Sequence, residues 1–489
     1  MWRLLALAFL FPALVAAQEE HNHPAPEKLG TASFSTSCKP TTQQEFNRAI
    51  ALLHSFAYKP AEEAFQSVAE RDPRCAIAHW GIAMTHYHQL WEPRLPTSGI
   101  VAAQKEIALA AKLPEVSERE RGFIRALSLV FKNSSILPYS MRASNYEKAM
   151  RELAATNPKD VEVQVFYALA LLSDASPLDT EHRKQKEAAD LLEPLWRAFP
   201  DHPGIPHYLI HACDSQELAS RGLVAARAYS RIAPSAPHAL HMPSHIFTRL
   251  GLWNDSISSN LAARDAAHQQ GDIGEELHAM DYLLYAYLQS GRDGEAAQVI
   301  QQLKAIKNLD GGEFKSGYAA TAMPIRYIVE RQQWAEAEKV VTPPASFSPQ
   351  AQATAVWARG LGLAHNGRVR EAYKESERLH IIEEQLRESG NGYWAMQVSI
   401  MRREVLAWSA QAEKKPDEAA AILRSAADDE DGIEKLPVTP GPIIPAREQL
   451  GDLLLEQGEF PSASKAFETA LINAPGRRGA LLGRSAAFR

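Results

Sequence analysis

Apolar residues along this chain recur at helical rather than strand spacing. In EKAMRELAATNP, KEAADLLEPLWRAFP and RREVLAWSAQA the large aliphatic and aromatic side chains fall three and four positions apart, and almost no stretch alternates apolar with polar. The pattern predicts an all-α protein. Clusters of Pro and polar residues at 90–100, 173–185 and 434–445 predict loops between helix pairs.

The block LGDLLLEQGEFPSASKAFETALINAP, residues 450 to 475, refines that picture. Small residues at Gly451, Ala463 and Ala470 let two antiparallel helices approach, Phe460 and Phe467 fill the gaps between them, and Pro475 closes the second helix. These positions resemble the tetratricopeptide repeat, a 34-residue helix pair. The same frame fits Tyr58, Ala61, Phe65 and Pro73, and it fits Gly251, Trp253 and Ala263 followed by Gly291 and Ala296. The clearest repeats are therefore expected at 42–75, 237–310 and 444–477, and the fit is poor between about 76 and 200. The expected fold is a right-handed α-solenoid of roughly ten degenerate helix pairs over residues 42–489.

The first residues read as a leader. MWRLLALAFLFPALVAAQ has an early Arg, an apolar run from Leu4 to Val15 and small residues placed for a cut before Gln18, so 1–17 are expected to be a signal peptide and the protein to be periplasmic or secreted. No other run is long enough for a membrane span. Residues 18–41, opening on His21 and His23, are expected to be a flexible arm. Among three cysteines at most one bridge can form within the chain; Cys38 with Cys75 is the expected pair, with a Cys213 pairing left open. A net charge of -7 without a basic stripe argues against nucleic acid.

Chemistry concentrates in one place. Of 17 histidines, six lie between His202 and His245, in HPGIPHYLIHACD and SAPHALHMPSHIF. At about 100° per residue, His207, His211 and Asp214 share one helical stripe roughly 60° wide, and so do His238, His241 and His245. The repeat resemblance implies that such stripes sit on first helices and face the concave groove, with His278, Asp281 and Tyr285 continuing the row in the next repeat. His79 and His86 are further candidates for that row, with packing beside Trp80 and Trp91 as the plainer account. Pro243 inside the second stripe either kinks its helix or starts it, which would leave His238 and His241 on a loop.

Neutral imidazoles one turn apart are ligands for Zn, Cu or non-haem Fe. His207, His211, Asp214, His238, His241 and His245 are thus the candidate metal ligands, and Asp214 is alternatively an orienting partner or a general base toward bound water. No H-E-x-x-H, C-x-x-C, phosphate loop or nucleophile elbow is present. SCKP, DPRCAIAHWGIAM, HYLIHACD and APHALHMPSHIFTRLG together resemble exported tetratricopeptide proteins of bacteria, a resemblance that implies no activity. Two functions stay open: an exported metalloprotein with hydrolytic or oxidative chemistry, or a scaffold that holds a peptide, protein or small molecule in the groove without metal or catalysis.

Overall fold

The computed structural model describes residues 27–90, 95–307 and 309–488. Among these residues there is no β-strand; helices follow one another from Gln43–His54 to Arg478–Ala487. Residues 1–17, expected to be a signal peptide, His21 and His23, and Trp91 lie outside the described residues. No helix is long and apolar enough to cross a membrane among those described.

The repeat geometry is that of the tetratricopeptide frame. Helices Ala446–Glu456 and Phe460–Asn473 pack as an antiparallel pair, joined by a turn in which Gly458 takes φ +77°, a left-handed conformation that costs a glycine little. Phe467 is fully buried, with Gly451 on one side and Gly483 on the other; a β-carbon on Gly451 would lie 2.5 Å from its ring. Overpacking of this kind costs about 1–3 kcal/mol. Gly451→Val is therefore expected to lower the free energy of urea unfolding by about that amount, and an unchanged midpoint would mean that the pair does not depend on this contact.

Repeats distant in sequence also touch. The expected interruption at Pro243 is a bend within a helical run: Pro237–His241 and Pro243–Arg249 meet at Met242, whose backbone stays helical, so His238 and His241 are on a helix and not on a loop. Beyond it, Gly251 sits against Pro475, and Trp253 Nε1 donates to the Gly476 carbonyl at 3.1 Å. Arg477 is buried between Glu330 and Glu448, at 2.9 and 2.7 Å.

One expectation needs correction, and a second holds but says too little. Residues 27–41 are not a flexible arm: Phe34 is buried against Phe46, Trp80 and Phe123, and the Thr31 amide donates to the Asp201 carbonyl at 2.9 Å. The Cys38–Cys75 bridge fastens the same stretch to the first repeat, and Cys213 is a buried thiol. Residues 434–445 do connect two helix pairs, but they also run across the groove as a strap. Lys435 meets Asp214 at 2.9 Å, the Leu436 amide donates to Tyr393 Oη, Tyr282 Oη donates to the carbonyls of Pro437 and Thr439, and Arg326 donates to Pro442. Four Pro residues between 437 and 445 limit the amides left to satisfy in that buried, irregular path.

Candidate functional site

Three segments carry the histidines to one place. His207 and His211 project from Gly204–Ala212, His238 and His241 from Pro237–His241, His245 from Pro243–Arg249, and His278 from Ile273–Gln289. Each helix run is short of charged residues and almost wholly buried, so the rings are held inside the groove wall rather than along an open surface. His211 is 8% exposed and the other five are 2% or less. The six divide into His207, His211 and His238, and His241, His245 and His278; within each trio one nitrogen per ring lies within 4.8 Å of the others.

The hydrogen bonds on the outer side of the rings decide the tautomers. His207 Nδ1 faces the His54 carbonyl at 2.6 Å, His238 Nδ1 faces Glu275 at 3.2 Å, and His245 Nδ1 faces Asp214 at 2.9 Å. His241 Nδ1 faces Asn260 Oδ1 at 2.7 Å, and the Asn260 amide nitrogen donates back to the Ser256 carbonyl, which fixes the amide orientation. All four partners accept, so each Nδ1 carries the proton and each Nε2 presents a lone pair.

Those lone pairs converge. His207 Nε2 lies 3.2 Å from His238 Nε2 and 3.1 Å from His211 Nε2, and His241 Nε2 lies 3.0 Å from His245 Nε2. Between His207 and His238, and between His241 and His245, a proton would have to come from an imidazolium, and burial opposes that, whereas a neutral His211 can donate its Nε2–H to His207. Burial first, and neighbouring rings second, hold His207, His211 and His241 well below the usual histidine pKa, and burial, helped by Lys435 and His238, outweighs Asp214 to bring His245 to about 4.

The carboxylates stand behind the rings. Asp214 is not aimed at either trio: it accepts from His245, Arg249 and Lys435, and although burial pushes its pKa up, Lys435, Arg249 and His245 hold it well below the usual range. So placed, it orients His245 and stays ionised, a weak base whose two oxygens are already engaged. Lys435 falls to about 8 through burial, partly offset by Asp214. Glu275 is held likewise by Lys315 at 2.6 Å and by His238.

His54, Glu162 and His202 form a third buried group with a different character. His202 Nδ1 accepts from the Gly204 amide and His54 Nδ1 meets Tyr208 Oη, so both Nε2–H groups donate to Glu162, which also accepts from the Ser33 amide. Every donor there has its acceptor, and the group fastens the 27–41 stretch to the repeats. Against burial, the bonds from His202 and His54 keep the Glu162 carboxylate ionised.

The remaining sequence candidates go elsewhere. Asp281 pairs with Arg326 at 3.3 Å, and Tyr285 Oη accepts from Arg477. His79 turns to Glu106 at 2.7 Å and His86 toward Glu62 at 3.8 Å, so neither joins the histidine row. Sequence reasoning missed Glu275, Asn260, Lys435 and the His54 carbonyl, which lie between 19 and 221 residues from the groups they contact. A cavity of 440 Å³ between the strap and the helices ends on His211, Asp214 and Lys435, with Tyr139 and Tyr393 on its walls. A second, of 230 Å³, reaches His238, Glu275 and Lys315 from the other side.

No protein-family model and no curated protein matches the sequence. Among solved structures the chain is similar to helical-repeat proteins at low identity. A human IFIT1 dimer with m7Gppp-AAAA has 10% identity and a TM-score of 0.38 over 85% of this chain and 90% of that one. The Cut9 chain of the APC/C Cut9–Hcn1 hetero-tetramer gives 10% and 0.36 over 92% and 76%, and yeast Tom70 gives 10% and 0.31 over 91% and 87%.

Proposed function

We propose that this protein is an exported tetratricopeptide-type solenoid whose buried histidines bind a transition metal of the Zn, Cu or Fe class. One observation supports this above others: Nε2 lone pairs of His207 and His238, and of His241 and His245, face each other at 3.2 and 3.0 Å while their protons are committed to acceptors behind the rings. Lone pairs so placed repel unless a cation lies between them. Two imidazoles on one ion at about 2.0–2.1 Å stand roughly 3.0–3.4 Å apart, which these separations match. The acceptors behind the rings supply the outer support that metal-bound histidines commonly have. Three imidazoles per ion leave a coordination position for water or substrate, and the cavity ending on His211 gives such a ligand a route, so metal-dependent catalysis is part of the proposal. The Cys38–Cys75 bridge supports export, because disulfides persist in oxidising compartments.

The alternative, a peptide held against the histidines, is disfavoured by the strap, which already occupies that part of the groove. Metal analysis of protein purified without chelator tests the proposal. The expected result is stoichiometric metal that chelator removes, with a fall in melting temperature. Deleting the segment with His21 and His23 should leave the content unchanged. Protein that takes up neither Zn(II), Cu(II) nor Fe(II) at neutral pH, and shows no thermal shift, would sink the reading.

A further inference from the structure

The second trio repeats the first. His241 lies 34 residues after His207, and His245 lies 34 residues after His211, one tetratricopeptide unit in each case. In both copies an i, i+4 pair on one first helix is joined by a single ring from the next first helix, His238 in one and His278 in the other. Translation by one repeat has therefore produced two equivalent three-imidazole sets side by side.

The two sets are not separated. Ring centroids across the trios, 5.9 Å for His211–His245 and 6.1 Å for His238–His241, are no farther apart than His211 and His238 within one trio, at 6.4 Å. The six rings form one contiguous cluster. Charge narrows its contents: around it, Asp214, Glu275 and Glu434 are balanced by Lys315, Lys435 and Arg249, and no carboxylate is directed into either trio. With no surplus negative charge, two divalent ions are costly to bury unless an anion such as hydroxide enters with them, because desolvation rises with the square of the charge. Copper combines high affinity for imidazole with the option of entering as a monovalent ion.

Resting on the metal-binding reading above, we infer that the site is a two-ion copper centre, one ion per trio, able to share a small bridging ligand such as hydroxide. Water reaches the pair through the cavity at His211, and in the divalent state loses one proton to solvent as it bridges.

The test is copper loading of the full chain, Cu(I) under anaerobic conditions and Cu(II) in parallel, followed by dialysis and metal counting. Two ions per chain are expected. His211→Gln and His245→Gln should each bind one and the double variant none, with far-ultraviolet circular dichroism showing which variants fold. The unaltered protein supplies a readout independent of mutation. Two bridged Cu(II) ions couple, so the electron paramagnetic resonance signal should integrate to far less than the copper present, whereas each single variant should show its one ion in full. One ion in the unaltered chain, or two that give full uncoupled signals, would overturn the two-ion centre while leaving metal binding intact. No bound metal of any kind would overturn both.

Discussion

Arg477→Ala is expected to lower the unfolding free energy by about 3–5 kcal/mol, the cost of leaving buried partners of an ion pair uncompensated. Its guanidinium is fully buried and donates to both oxygens of Glu448 at 2.7 and 3.1 Å, to both oxygens of Glu330 at 3.1 and 2.9 Å, and to Tyr285 Oη at 3.3 Å. Without it two carboxylates face each other in a site where burial already raises the Glu330 pKa. These residues belong to helices far apart in the chain, so the loss opens the contact between the last repeat and the helix carrying His278. Urea unfolding followed by circular dichroism measures the change. Replacing the whole network, with Arg477→Met, Glu330→Gln and Glu448→Gln together, should recover much of the loss, since neutral partners leave no buried charge. If Arg477→Ala unfolds at the same urea concentration as the unaltered chain, the network does not hold the repeats together.

The sequence made some of this visible and hid the rest for physical reasons. Gly451, Ala463 and Phe467 disclose a helix pair because close approach restricts side-chain size at fixed spacing, a constraint that is local in the chain. The two histidine stripes are visible for the same reason: i, i+4 on a helix is geometry that sequence carries directly. His79 shows the limit of that logic. It occupies a first helix like the others, but its partner Glu106 lies on the next helix and the ring turns there. Lys435 and Asp214 are 221 residues apart, and nothing near either one announces the other. The strap was equally hidden, because LPVTPGPIIP has turn composition whether it rests in solvent or fills a groove. Residues 27–41 lack periodicity, and their main anchor, Phe34, finds an aromatic pocket assembled by three later helices.

Acid should unfold metal-free protein at a higher pH than metal-loaded protein, following from the linkage of proton uptake to stability. Burial lowers the pKa of His54, His207, His211, His241, His245, His278 and His365, the last to about 3. A histidine with a folded pKa below its unfolded value of about 6.5 is protonated first in the unfolded chain, so stability is complete above that pH and is lost as pH falls below it. Buried carboxyls with raised pKa values, Asp281 and Glu330 among them, act oppositely in the same window. Burial raises Glu404 and Asp452 well above the usual range and Glu430 to about 8, so the folded state takes up those protons before the unfolded one does. The histidine uptakes are therefore offset by the carboxyls, and it is the histidine share alone that a bound metal changes. The carboxylates held low, Glu162, Asp214 and Glu275, add their loss only below about pH 4.5. Bound metal keeps its imidazoles neutral, so loaded protein should unfold at lower pH than chelated protein, with metal release and unfolding coinciding. A transition that is the same with and without metal, followed by tryptophan fluorescence during acid titration, would mean that these histidines are not engaged by an ion.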